Sequence, residues 1–110
     1  MSNFASRVSW ETLRTIDSSA LSGGYDPIGG PIEHPAFLLK MVNLSNTTVT
    51  VSLDGETDID VAPAGFFWLY DEQANSSRSE GLTVPIGTQV YVKGSAGIGI
   101  IYLVVQYQGV

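Results

Sequence analysis

The chain has 110 residues, no cysteine, one histidine, and five Lys and Arg against eleven Asp and Glu, for a formal charge of −6. That length makes one domain, which buries roughly 65% of its unfolded surface around a single core without disulfide or thiolate-zinc staples. An acidic balance with its few basic residues scattered along the chain argues against nucleic-acid binding by phosphate neutralisation, and no apolar run approaches the ~20 residues of a membrane helix. The start, MSNFASRVSWETLRT, lacks the basic patch and apolar run of a signal peptide, so the expectation is a soluble protein that does not use that route.

Residues 1–35 are expected to form an irregular N-terminal arm. Val8, Trp10, Leu13 and Ile16 fit neither a helical nor a strand period, and one short strand is expected near Arg14 to Ile16. From Leu21 to Pro35, Gly23-Gly24, Gly29-Gly30, Pro27, Pro31 and Pro35 interrupt the chain too densely for a helix or a long strand.

Residues 36–110 are expected to form the body. Their β-rich runs are Phe37 to Asn43, Thr47 to Leu53, Thr57 to Val61, Gly65 to Tyr70, Leu82 to Val84, Gln89 to Lys93 and Ile98 to Tyr107, most of them separated by Asn, Asp-Gly, Pro or Gly. Seven short strands without an amphipathic helix predict an all-β fold, an antiparallel β-sandwich or barrel. One more strand from the arm brings the count to the eight of a jelly roll. The predicted architecture is therefore a jelly-roll-like sandwich of seven or eight strands.

At Asp54-Gly55 the register matters. A two-residue turn would pair Val51 with Asp58 and Val49 with Asp60, setting carboxylates on an apolar face. A three-residue loop, Asp54 to Glu56, pairs Val51 with Ile59 and Val49 with Val61, and leaves Thr50, Ser52, Asp58 and Asp60 on the outer face; this is the preferred reading. Three strands are apolar on both faces. Phe66, Trp68 and Tyr70 oppose Phe67 and Leu69; Ile98, Ile100, Tyr102 and Val104 oppose Ile101, Leu103 and Val105; and in Phe37 to Val42 only Lys40 intervenes. A two-layer sandwich buries one face per strand, so the second faces require a cover from the arm or from another subunit.

Candidate chemistry is sparse. Asp54, Glu56, Asp58 and Asp60 lack calcium-loop spacing and read as a solvated hairpin. His34, alone, makes neither a metal centre nor a triad and reads as a loop residue. Gly94 to Gly97 joins two strands and reads as a turn in which Gly supplies positive φ. Three glycosylation sequons, at Asn43, Asn46 and Asn75, carry little weight without a secretory signal. Trp10, Trp68, Tyr70, Tyr91, Tyr102 and Tyr107 suit core or interface positions, with sugar stacking, centred on Trp68, as the minor alternative. The expectation is a protein without enzymatic activity, cofactor or metal.

Taken in order, GGYDPIGGPIEHPA, FLLKMVNLSNTTVTVSLDG, DVAPAGFFWLYD, GTQVYVKG and IIYLVVQY resemble a family of small virion proteins of tailed bacteriophages, from about Thr15 to the end of the chain. In size and layout the chain is similar to the small jelly-roll decoration or "staple" proteins of short-tailed phages. That resemblance implies a structural role on the outer surface of the phage head, cementing neighbouring major capsid subunits after assembly in the host cytoplasm. The implied partners are the major capsid protein and further copies of the chain itself, most simply a two-fold dimer. No residue role carries over from the family. From the residues, the expected contacts are Phe67, Leu69, Ile101 and Leu103 on the doubly apolar strands. In the arm they are Phe4, Val8 and Trp10 as apolar anchors and Arg7 and Arg14 as polar ones. Alternative roles are a neck or tail connector, a fibre-base component, or a carbohydrate-binding module.

Overall fold

A computed structural model describes residues 8–71 and 84–108. The alternating runs form nine strands: β1 (Val8–Trp10), β2 (Arg14–Asp17), β3 (Tyr25–Pro27), β4 (Ala36–Asn43), β5 (Val49–Ser52), β6 (Asp60–Ala62), β7 (Phe67–Asp71), β8 (Tyr91–Lys93) and β9 (Ile100–Gln108). A 3-10 turn, Ser18–Ala20, follows β2 and is capped by the Asp17 carboxylate, which accepts from the Ser19 amide. All strand pairs are antiparallel and build two sheets, a five-stranded one ordered β1-β9-β4-β7 with β2 also on β9, and a four-stranded one ordered β3-β8-β5-β6. The sheets pack as a sandwich, the all-β class expected from the strand spacing.

The long apolar strand β9 is the spine of the larger sheet. It pairs with β4 along one edge and with β1 and β2 in succession along the other. Its inward residues Ile101, Leu103 and Val105 are fully buried against Leu39 and Met41 of β4 and against Val49, Val51 and Val92 of the facing sheet. Leaving Leu39, Met41, Ile101 and Leu103 in water would cost about 1.5–3 kcal/mol each, which fixes the inward face of both strands.

Residues 8–35, expected to hold one short strand near Arg14 to Ile16 in an otherwise irregular arm, supply that strand as β2, two more as β1 and β3, and part of the core: Leu21, Ile28 and Ile32 are buried. The lost periodicity has a local cause. Between Trp10↔Gln106 and Arg14↔Leu103 the first strand has three residues where β9 has two, so one extra residue is accommodated as a bulge and the inward positions change phase across it. Pro27 is tolerated because β3 is an edge strand, where a missing N–H breaks no ladder. Of the predicted run Leu82 to Val84, only Val84 is described; it makes a bridge with Ala36.

The β5–β6 register matches neither turn considered from sequence. Val49 faces Ala62, Thr50 faces Val61 and Val51 faces Asp60, one residue beyond the three-residue reading. Side chains widen the loop. Asp54 Oδ1 accepts from the amides of Glu56 and Thr57 at 2.8 Å each, and Ser52 Oγ accepts from the Gly55 amide at 3.0 Å. The shift moves Ala62 into the core and leaves Ile59 and Val61 exposed. Ser52 is buried, and Asp60 turns toward the other sheet, where it accepts from Trp68 Nε1 at 2.9 Å.

Candidate docking face

The outer face of the five-stranded sheet is apolar and uncovered by described residues. Cross-strand register arranges it in three rows. Val42 stands between Phe67 and Tyr102, with Thr15 beyond; Lys40 stands between Leu69 and Val104; Leu38 stands between Asp71 and Gln106, with Trp10 beyond. Phe67, Leu69 and Trp10 are 58%, 48% and 59% exposed, and Leu38, Val42, Tyr102 and Val104 are half-buried. At the end of the same strands Leu44, Phe66 and Ile98 are exposed as well. Phe66, Phe67, Val42, Lys40 and Gly65 line a shallow open depression of about 270 Å³. Four strands about 4.8 Å apart and three rows about 6.7 Å apart span roughly 400 Å², the size of the largest apolar patches on monomers, which are often functional.

The expected contact residues fall into separate groups. Phe67, Leu69 and Trp10 lie together on this face. Ile101 and Leu103 do not: both are fully buried, and the outward side of β9 carries Tyr102 and Val104. Arg14 is no free anchor. Its Nε donates to Gly30 O at 3.0 Å, its Nη2 to Pro31 O at 3.0 Å and to Glu11 Oε1 at 2.8 Å, and its side chain is 10% exposed. Phe4 and Arg7 lie outside the described residues; Val8 begins β1 and pairs with Gln108. Trp68 is buried against the core, which closes it to sugar stacking.

Two polar clasps close the seams of the sandwich. At β6 and β7 it is the Trp68–Asp60 bond. At β2 and the segment after β3 it is Glu11. The Glu11 side chain is 2% exposed and takes Arg14 on one oxygen; the other lies 2.9 Å from the Glu33 amide and 2.8 Å from His34 Nδ1. Burial pushes this carboxyl up, but the bonds from His34, Glu33 and Arg14 outweigh burial and hold it below its ordinary value. His34, read from sequence as a loop residue, also stacks on Tyr107 with ring centroids 3.7 Å apart. Nothing in the sequence joins Glu11 to His34; the fold brings them together.

The outer face of the four-stranded sheet is partly covered by the chain's own loop. Asp58 accepts from Tyr25 Oη and pairs with Lys93 at 3.0 Å, and Gly55 lies over the Tyr91 ring, where a Cβ would stand 3.2 Å from Cζ. Tyr25 and Lys93 together hold the Asp58 carboxyl below its usual range. Asp54 is held at about 2 by the Glu56 and Thr57 amides and the Ser52 hydroxyl. Among the described residues no group of three or more His, Cys, Asp or Glu side chains could hold a metal ion. The turn from Gly94 to Gly99 owes its glycines to close approach more than to positive φ, which only Gly99 adopts (φ 116°). A Cβ at Gly94 would stand 3.0 Å from Thr48 O, and one at Gly97 2.5 Å from Asn46 Oδ1. Comparison of the chain with protein-family models, with curated proteins and with solved structures gives no match.

Proposed function

We propose that this chain is a structural virion protein: a jelly-roll decoration protein that cements the outside of a phage head by seating the outer face of its five-stranded sheet on the major capsid protein. One observation carries the reading: a sandwich that folds its own loop over part of one sheet leaves the other sheet's apolar outer face uncovered by described residues. Burying the apolar part of that roughly 400 Å² is worth less than about 10 kcal/mol gross at 25 cal/mol/Å², and most of that is offset by the cost of association. One such contact is weak, and a shell that repeats it over many copies, joined to other contacts of the same subunit, gains stability that a single pair lacks.

The strand order supports the jelly-roll part of the proposal. With β1 and β2 counted as one interrupted strand there are eight strands in two four-stranded sheets. Every connection from β2 onward except β5–β6 passes from one sheet to the other, the wrapping of a double Greek key. The ordered likeness of GGYDPIGGPIEHPA, FLLKMVNLSNTTVTVSLDG and IIYLVVQY to small phage virion proteins supports the location.

The test is quantitation of this chain against the major capsid protein in purified particles. Hundreds of copies per particle support head decoration; about a dozen or fewer support a neck, tail or fibre-base component instead. Absence from particles overturns the virion reading.

A further inference from the structure

We infer that the partner seated on the outer face is a different chain, and that it sets a carboxylate over Lys40. The inference rests on the reading of this face as the docking surface and adds the chemistry of its occupant.

Lys40 occupies the centre of the face, opposite Leu69 on one side and Val104 on the other. Three basic residues are described. Arg14 is paired with Glu11 and Lys93 with Asp58, while Lys40 makes no ion pair or hydrogen bond among the described residues. Its stem packs among apolar neighbours and its ammonium reaches water because no described residue covers the face. Covering the face removes that water, and a cation enclosed without a counter-ion opposes binding strongly. Among the described residues the chain has no free group of its own to offer there. Asp71 shares the face but stands opposite Leu38 in the next row, and it already has a partner. With no described carboxylate free to serve it, the compensating charge falls to the occupant.

A second copy of the chain is the poorer occupant. A two-fold contact is self-complementary, so one centred on this face brings Lys40 against the partner copy's Lys40, and like charges in a drying interface reject the pairing. The fitting surface is an apolar patch of another protein around a single Asp or Glu; under the proposed function, that protein is the major capsid protein. A central Lys then works as a selector, since apolar surfaces that lack the acid are turned away.

The experiment titrates heads prepared without this chain with the wild type, Lys40→Glu, Lys40→Met and Phe67→Asp over a salt series. Circular dichroism and melting confirm that each variant is folded, which is expected because both side chains point away from the core. The expected results are a roughly tenfold or greater loss of affinity for Lys40→Glu, a smaller loss for Lys40→Met, and a flatter salt dependence for Lys40→Met than for wild type. Lys40→Glu that binds like wild type overturns the carboxylate partner and leaves the head reading standing. Wild-type dimers in sedimentation that Phe67→Asp dissolves overturn the inference in favour of self-association. Folded wild type that does not bind heads removes the head reading and this inference together.

Discussion

Replacing Glu11 with Gln tests the clasp that ties the first strand to the segment after β3. The native carboxylate, only 2% exposed, serves Arg14 Nη2 at 2.8 Å, the Glu33 amide at 2.9 Å and His34 Nδ1 at 2.8 Å. Gln keeps the shape but has one acceptor oxygen, so one sheltered donor loses its partner, and Arg14 retains only the Gly30 and Pro31 carbonyls and the longer bond to Thr12 O. Hydrogen bonds to charged groups contribute about 1.5–3 kcal/mol each. The His34 contact, with that ring 43% exposed, is discounted. The expected loss is about 3 kcal/mol at neutral pH, or roughly 12 °C in melting temperature for a domain of this size.

The pH dependence supplies the refuting result. Burial raises the Glu11 pKa, but the bonds from His34, the Glu33 amide and Arg14 prevail, and the folded value lies below the ordinary 4.5. Because the folded value is depressed, the unfolded chain takes up the proton first. The stabilisation is therefore complete above the unfolded value and is lost as pH falls through the folded one. Urea midpoints for wild type and Glu11→Gln should differ by a constant amount above about pH 6 and draw closer as the pH falls below about 4.5. Equal midpoints at neutral pH, or a gap that persists unchanged in acid, would refute the reasoning.

Leu103→Ala should cost about 2–5 kcal/mol in urea unfolding and Val104→Ala less than about 1, because adjacent residues of β9 face opposite sides of its sheet. Gly99→Ala should cost more than about 2 kcal/mol in the same assay, since φ is 116° there and the added Cβ would strike Leu44 O. Asp60→Leu leaves Trp68 Nε1 without its acceptor; unfolding should show a loss of about 1–3 kcal/mol, with a change in tryptophan emission. The Glu56 and Thr57 amide shifts should titrate with a midpoint of about 2, the value at which Asp54 is held, and lose that titration in Asp54→Ala.

Much of the fold is legible in the sequence because strand alternation and glycine or proline punctuation are local signals. The sandwich class and the runs that become β4, β5, β7, β8 and β9 follow from them. Facing is a different matter. In β9 both sides are apolar, so hydrophobicity alone cannot separate Ile101 and Leu103 from Tyr102 and Val104. The separation comes from pairing: Met41 opposite Leu103 and Lys40 opposite Val104 put the lysine's side outward. Lys40 was a usable signal on β4, but carrying it to β9 required a register set by a partner about 60 residues away. The strand expected near Arg14 to Ile16 is β2, whereas β1 was hidden by the bulge between Trp10 and Arg14, which breaks the two-residue period. The Glu11 clasp joins residues 3 and 23 positions apart, a proximity that no spacing rule could reveal.

The distribution of charge sharpens the meaning of the bare face. A chain with a formal charge of −6 has enough acid to coat both sheets, and three of its carboxylates are committed elsewhere. Glu11 and Asp60 close the two seams, and Asp58 pins a loop over the four-stranded sheet through Tyr25 and Lys93. On the five-stranded sheet, the rows from Phe67 to Thr15 and from Leu69 to Val104 hold no carboxylate of their own, and their charge is Lys40, which has no ion-pair partner among the described residues. An acidic protein whose one open sheet face is apolar and locally cationic is repelled by acidic surfaces in general but fits an apolar patch with a carboxylate at its centre. Long-range repulsion and short-range complementarity then act on different partners, so raising the salt concentration should weaken the specific contact while relaxing the general repulsion.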